Sequence, residues 1–476
     1  MNPVNRFLME RFRRIDPRLL PFADAASPEL PLGRLLRLAL FQVSVAMATV
    51  LLLGTLNRVM IVELGVSASL VAIMVAMPFL AAPFRALVGF RSDTHRSAFG
   101  WKRVPYVWAG TMLQFGGLAI MPFALLLLGN DHNAPAWIGQ VSAALAFLLA
   151  GVGLHTTQTA GLALATDLAT EEQRPRVVAL MYVVFLIGTI VSGYVFALLL
   201  ADFSPMRLIQ VIQGAAVATF LLNVIALWKQ EARRAPPPKA ATQPSFREAW
   251  ALFAANKPAR RFLLAVGFGT AAFNMQDIIL EPYGAEVLGL SVSATTMLTA
   301  LLGMGSLLAF SVAAHWLARG LHPCRLAAIG ILFGLVAFTM VIFAGALQSP
   351  MLFRAGVVLI GFGSGLFAVS TLMAAMSLES GRLIGLALGA WGAVQASSAG
   401  LSIAAGGIIR DSVAMLGKAG SLGAAFTAPS AAYGFVYHIE ILLLFSTLVV
   451  LGPLVRARFS REERGSTALR LAEFPS

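Results

Sequence analysis

Residues 56–67 read Leu56-Asn57-Arg58-Val59-Met60-Ile61-Val62-Glu63-Leu64-Gly65-Val66-Ser67, and residues 280–291 read Leu280-Glu281-Pro282-Tyr283-Gly284-Ala285-Glu286-Val287-Leu288-Gly289-Leu290-Ser291. Laid over one another, the two stretches end apolar runs in the same way and set Asn57 opposite Glu281. A second pair, Ala150-Gly151-Val152-Gly153 and Ile360-Gly361-Phe362-Gly363, repeats in the same order. The chain therefore reads as two related halves running in the same direction.

What kind of halves follows from composition. Of 476 residues, 58% are hydrophobic and 12% charged, whereas soluble domains run at about 45–50% apolar and about 25% charged. A water-soluble globule is excluded. Uninterrupted apolar runs long enough to cross a bilayer recur, and they lack the alternation of a membrane barrel. Helices are expected near residues 38–61, 69–90, 104–128, 137–165, 177–200 and 207–228, then near 262–282, 293–317, 326–347, 351–376, 383–409 and 432–455. Two parallel repeats of six spans, joined by a long loop, are the sequence sign of a major facilitator architecture. The expected fold is thus an all-α polytopic membrane protein with 12 transmembrane helices in two six-helix halves.

Charge gives the orientation. Of the 35 Lys and Arg residues, 29 fall in the two tails and in alternate loops, which places those loops and both termini on the cytoplasmic side. The net charge of +13 then records topology and attraction to anionic membrane lipids, and no nucleic-acid partner is expected. The divisions are a cytoplasmic amphipathic tail (1–36), the first half (37–228), a cytoplasmic linker rich in proline and basic residues (229–261), the second half (262–455) and a cytoplasmic tail (456–476). The single cysteine, Cys324, allows no internal disulfide, and no His/Cys cluster has metal-site spacing.

Chemistry is expected on the seventh span. Asn274, Asp277 and Glu281 are spaced i, i+3, i+7, with Gln276 beside them, so one helical face would carry an amide and two acids. Acids inside a membrane segment are costly and usually face a cavity or a partner. For Glu281, just before Pro282, solvation in the outer headgroup zone is the competing reading. The repeat brings Asn57 and Arg58 to the same cavity, and Arg58 is expected to pair with Glu281 or Asp277 and close its outer side. Among the histidines, His155 in span 4 and His438 in span 12 lie within the membrane. Neutral imidazole ligates metals, the magnesium of a chlorin included; the plainer reading of each is a hydrogen bond between helices. Glycines such as Gly361, Gly363 and Gly365, and Gly385, Gly389 and Gly392, are expected to mark close helix packing.

The loop from Gly89 to Arg103 resembles the major facilitator signature between spans 2 and 3, with Gly89, Asp93, Arg96, Lys102 and Arg103 in the switching positions, although the spacing between Asp93 and the basic pair is longer than usual. More specific are Gln276-Asp277 through Leu280-Glu281-Pro282-Tyr283-Gly284, the run from Leu383 to Ala396, and Gly406-Gly407-Ile408-Ile409-Arg410-Asp411. These resemble the PucC/LhaA group, the bacteriochlorophyll-delivery branch of the major facilitator superfamily in purple phototrophs. The likeness covers residues 30 to 455, and the length and long N-terminal tail are closer to the LhaA branch, which serves light-harvesting 1, than to its light-harvesting 2 counterpart. The resemblance implies a protein of the bacterial inner or intracytoplasmic photosynthetic membrane that brings bacteriochlorophyll, as bound cargo, together with antenna polypeptides. Pigment-synthesis or membrane-insertion machinery would be further partners.

Two other classes compete. An ordinary proton-coupled transporter of an amphipathic or polar solute would use Asp277 or Glu281 as its proton site. A pigment-synthesis enzyme such as a prenyl transferase would need paired aspartate-rich loops for magnesium and diphosphate, but Asp93 and Asp167 stand alone and no catalytic triad is visible. Hand-over of pigment needs none, and no enzymatic role is expected.

Overall fold

The computed structural model describes residues 30–80, 101–129, 135–170, 173–231, 257–378 and 384–462. The N-terminal tail before residue 30, most of the linker, and Gly89, Asp93 and Arg96 of the expected switch loop lie outside the described residues.

Apolar runs with few internal charges become long helices because only a helix satisfies its own backbone within lipid. In the first half these are α1 (Leu32–Glu63), α2 (Ala68–Leu80), α3 (Val104–Leu128), α4 (Ala136–Leu168), α5 (Arg174–Leu199) and α6 (Pro205–Leu227). In the second they are α7 (Lys257–Asn274), α8 (Leu280–Glu286), α9 (Val292–Ala318), α10 (Pro323–Ala346), α11 (Pro350–Leu378), α12 (Ile384–Lys418) and α13 (Pro429–Glu462). Starts are marked by side-chain caps: Ser204 Oγ accepts from Arg207 N–H at 3.2 Å and Ser291 Oγ from Ala294 N–H at 3.2 Å.

Among the described residues, ten helices are long and apolar enough to cross a membrane, an eleventh span is formed if α7 and α8 count as one, and α2 is a shorter apolar helix up to residue 80. Large apolar side chains such as Phe123, Trp137 and Val449 point outward, as lipid-facing surfaces require. This is a multi-pass membrane protein.

The repeat is visible in three dimensions. α1 and α8 both close on a left-handed glycine, Gly65 at φ +64° and Gly289 at φ +65°, a conformation open to glycine without a Cβ penalty. In each case the next N–H reaches back six residues, Val66 to Met60 O at 2.9 Å and Leu290 to Gly284 O at 3.0 Å. The halves then meet through equivalent pairs, α2 against α12 and α5 against α9. Both pairs approach on a glycine. A Cβ on Gly407 would lie 2.4 Å from Ala72 Cβ, and one on Gly193 would lie 2.9 Å from Ala300 Cβ. Beside them, Ser69 donates from N–H and Oγ to Asp411 Oδ2 at 2.7 and 2.5 Å, and Ser293 Oγ donates to Ala197 O at 2.6 Å. The end of the bundle carrying Gly65 and Gly289 is thereby held shut.

Close packing at Gly361, Gly363 and Gly365 is present, with a Cβ on Gly361 meeting Leu302 O at 2.2 Å. Gly389 and Gly392 differ from expectation: nothing lies within 4 Å of a Cβ at either. Gly385 falls where no side-chain surroundings are described.

Candidate functional site

The site begins with a broken helix. α7 stops at Asn274, whose Nδ2 turns back to Thr270 O at 2.8 Å. Met275–Ile278 then tighten into a 3-10 turn, and α8 sets off at 40°. The cause is Pro282, which has no N–H to offer Ile278 O and whose ring would clash with that carbonyl in a continuous helix. Asn274, Asp277 and Glu281 therefore do not share one face of a regular helix, which corrects the i, i+3, i+7 reading.

The break places the polar groups separately. Asn274 and Asp277 face a cavity of about 260 Å³. Glu281 turns inward, 3% exposed, where Thr299 Oγ1 donates to its Oε1 at 3.1 Å. It is a buried, bonded acid and not a solvated headgroup residue. Gln276 Nε2 donates to Asp277 Oδ1. Across the halves, Asn57 Nδ2 donates to Asp277 O at 3.0 Å and lies 3.5 Å from Glu281 Oε2. The break exposes that carbonyl, and the amide from the other half takes it up.

Arg58 does not pair with Glu281 or Asp277. Its guanidinium bonds to Glu63 on the same helix. The reason is local: α1 is wound as a π-helix over Val50–Thr55 and Val59–Glu63, and the wider turn brings residue i+5 over residue i.

The opposite wall of the cavity belongs to the first half. His155 of α4 is buried, with Phe79 edge-on at a ring-centroid distance of 5.3 Å. Phe147, Phe185, Leu154 and Leu52 complete an apolar lining, with Gln158 as a further polar group. His438 is elsewhere. It lies exposed on the outer face of α13 with Nδ1 2.6 Å from Gly434 O, so of the two candidate pigment ligands His155 is the one that lines this cavity.

At the other end of the bundle, Lys102 and Arg103 meet acids that the sequence reading left alone or overlooked. Arg103 Nε donates to Asp167 Oδ2 at 2.8 Å and Lys102 Nζ lies 3.3 Å from the same oxygen. The Glu231 carboxylate accepts the N–H groups of Lys102, Arg103 and Val104 at 2.6, 3.0 and 2.9 Å, capping α3 after α6 has ended. Glu440, 0% exposed on α13, is a second acid that the sequence reading does not single out.

The family described as PUCC protein matches residues 55–459. An uncharacterized protein of the puhA-bchM intergenic region of Rhodobacter capsulatus is 56% identical over 464 residues, covering 96% of this chain and 97% of its own length. Protein PucC of Rhodovulum sulfidophilum is 55% identical over 420 residues, 87% of this chain and 92% of its own. More distantly, the bacteriochlorophyll synthase 44.5 kDa chain of Rhodobacter capsulatus is 28% identical over 89% of this chain and 96% of its own. Among solved structures, a bacterial homologue of the human lysosomal transporter Spinster, inward-facing and unoccupied, superposes with a TM-score of 0.66 at 14% identity, covering 92% of this chain and 98% of its own. The last shows a shared transporter-type fold.

Proposed function

The chain belongs to the PUCC protein family, and on that premise we propose that it is an assembly factor of the photosynthetic membrane that binds bacteriochlorophyll and delivers it to newly inserted light-harvesting antenna polypeptides. The names of its relatives, protein PucC and a bacteriochlorophyll synthase chain, support this setting. Light-harvesting 1 is the proposed client ahead of light-harvesting 2, on chain length and the N-terminal tail. The proposed location is the bacterial inner or intracytoplasmic photosynthetic membrane. Hand-over is taken to be non-enzymatic.

The observation that carries the reading is the cavity wall, in which one imidazole, His155, stands among Phe79, Phe147 and Phe185. The magnesium of a chlorin accepts an axial ligand such as an imidazole nitrogen and its macrocycle packs on apolar surfaces, and this wall supplies both kinds of group. At about 260 Å³ the cavity is smaller than the roughly 300–1,000 Å³ usual for organic ligands. Loading a pigment therefore requires the two halves to part at the end away from Gly65 and Gly289.

The test is the absorption spectrum of the gently solubilised protein purified from pigment-producing cells. A bound chlorin band, weakened in His155→Ala, is expected. A protein without pigment, with solute flux in reconstituted vesicles that is abolished by Asp277→Asn, would replace this reading by a proton-coupled transporter. That alternative is favoured by one observation, the position of Asp277 on the cavity wall.

A further inference from the structure

An imidazole stands in the lipid-facing surface midway along a span. His438 is exposed on α13, the least enclosed of the membrane-crossing helices described. The apolar part of α13 runs from Pro429 to Val455, so His438 lies about 6 Å from its middle, well inside a hydrocarbon layer about 30 Å thick. Its Nδ1 is 2.6 Å from Gly434 O. A carbonyl only accepts, so Nδ1 carries the hydrogen and the uncharged ring keeps a bare lone pair at Nε2. No other described residue bonds to this ring. Ser311 of α9 and Thr339 of α10, also exposed in mid-span, contrast with it: their hydroxyls donate to Leu307 O at 3.2 Å and Leu335 O at 2.7 Å, one turn back on their own helices. An acceptor left in hydrocarbon is costly, and polar groups within spans normally face the protein interior or a partner.

The surface around His438 has the form of a seat for a helix. Phe435, Leu442, Phe445 and Val449 are exposed and line up with it at steps of three and four residues. Gly434 and Gly452 end the stripe, and nothing lies within 4 Å of a Cβ on either. Small residues in spans let a second backbone approach; Gly361 and Gly407 are met by neighbouring helices in this way, whereas these two are open. The nitrogen selects among occupants. Acyl chains carry no hydrogen-bond donor, and headgroups are out of reach at this depth. A second copy of the chain, related by a two-fold axis along the membrane normal, would set His438 against His438, acceptor against acceptor. A different helix with an O–H or N–H at the matching depth satisfies the nitrogen and covers the stripe.

We propose that this face of α13 docks the membrane-spanning helix of an antenna polypeptide, a partner that rests on the assembly reading above, and that a side-chain donor of that helix bonds to His438 Nε2. The seat lies on the outside of the bundle, apart from the His155 wall, so the protein can hold cargo and recipient at once.

The full-length protein in lipid nanodiscs, co-reconstituted with purified light-harvesting 1 antenna polypeptide, tests this. The photo-crosslinker p-benzoylphenylalanine is placed at Leu442 or Val449 on the stripe, and at Phe123 of α3 or Val336 of α10 on other exposed apolar surfaces. Illumination should join the polypeptide to the first two positions and not to the last two, a pattern read in the otherwise native chain. His438→Leu should lower the yield about threefold or more, the worth of one hydrogen bond between helices in a membrane, and His438→Gln, which keeps an acceptor, should restore most of it. A polypeptide that stays with the protein but joins at neither Leu442 nor Val449, joins equally at Phe123 or Val336, or joins undiminished in His438→Leu overturns the seat and leaves the assembly reading standing. So does a cross-link from Leu442 to a second copy of the chain, or a chlorin band weakened in His438→Leu, which would make the residue a pigment ligand. A polypeptide not retained by the wild type at all removes the assembly reading and the seat together.

Discussion

Asn57 and Glu281 occupy equivalent positions of the internal repeat and their side chains meet, with Asn57 Nδ2 3.5 Å from Glu281 Oε2 and 3.0 Å from Asp277 O. Equivalent residues of two related halves touch only close to the pseudo-two-fold axis, so this pair marks the centre of the molecule. One half supplies the donor and the other the acceptors. Asn57→Ala leaves a backbone carbonyl and a carboxylate oxygen short of a donor inside the protein, and is expected to cost about 1–3 kcal/mol. Denaturant unfolding of the purified protein measures it, and Asn57→Asp, which adds an acid beside Glu281, should cost more.

The Arg58–Glu63 pair yields a charge-swap prediction. The exchange Arg58→Glu with Glu63→Arg should recover the folded yield that Arg58→Glu alone loses. The exchange of Arg58 with Glu281 should recover nothing. Glu63→Gln alone should cost about 1 kcal/mol or less, because the acid side of the pair is 38% exposed and such contacts are weak in water.

The two histidines are expected to separate cleanly. His155→Phe should abolish the chlorin band of the purified protein while leaving its thermal unfolding within a few degrees of the wild type. His438→Ala should leave both unchanged, since that ring faces outward and bonds only to Gly434 O among the described contacts. An equal loss of pigment in both would remove His155 from the proposed role.

Much of this architecture was legible in residues 56–67 and 280–291, because a repeat that ends helices on glycine and restarts them on serine is a local signal. The acids of the seventh span were legible too, since charge within an apolar run stands out. Their arrangement was not. Helical spacing assumes a continuous helix, and Pro282 breaks it. Arg58 went to Glu63 because of π winding, which leaves no mark in the pattern of apolar residues. Glu440 was hidden for another reason. Helix α13 is apolar nearly all round, so periodicity did not show which side faced inward. Contacts between residues far apart in the chain, such as Ser69 with Asp411, carry no local signal.

The Glu231 cap was equally out of reach of sequence, since the acid lies 127 residues from even the nearest N–H it accepts, that of Val104. Glu231→Gln keeps one acceptor oxygen for three donors. It should lower stability by about 1–2 kcal/mol, and Glu231→Asp, one methylene shorter, should recover only part. Thermal unfolding at low and high salt separates the hydrogen-bonding loss, which persists, from the ionic part, which fades.

The turn at residues 275–279 gives the duplicated plan a lopsided mechanics. Where one lobe has an unbroken rod from Leu32 to Glu63, its sibling has a knuckle set at 40°. Any rocking of the lobes will be absorbed at the knuckle first. The His155 wall, on the rod's side, can then stay rigid while the acid-bearing side flexes.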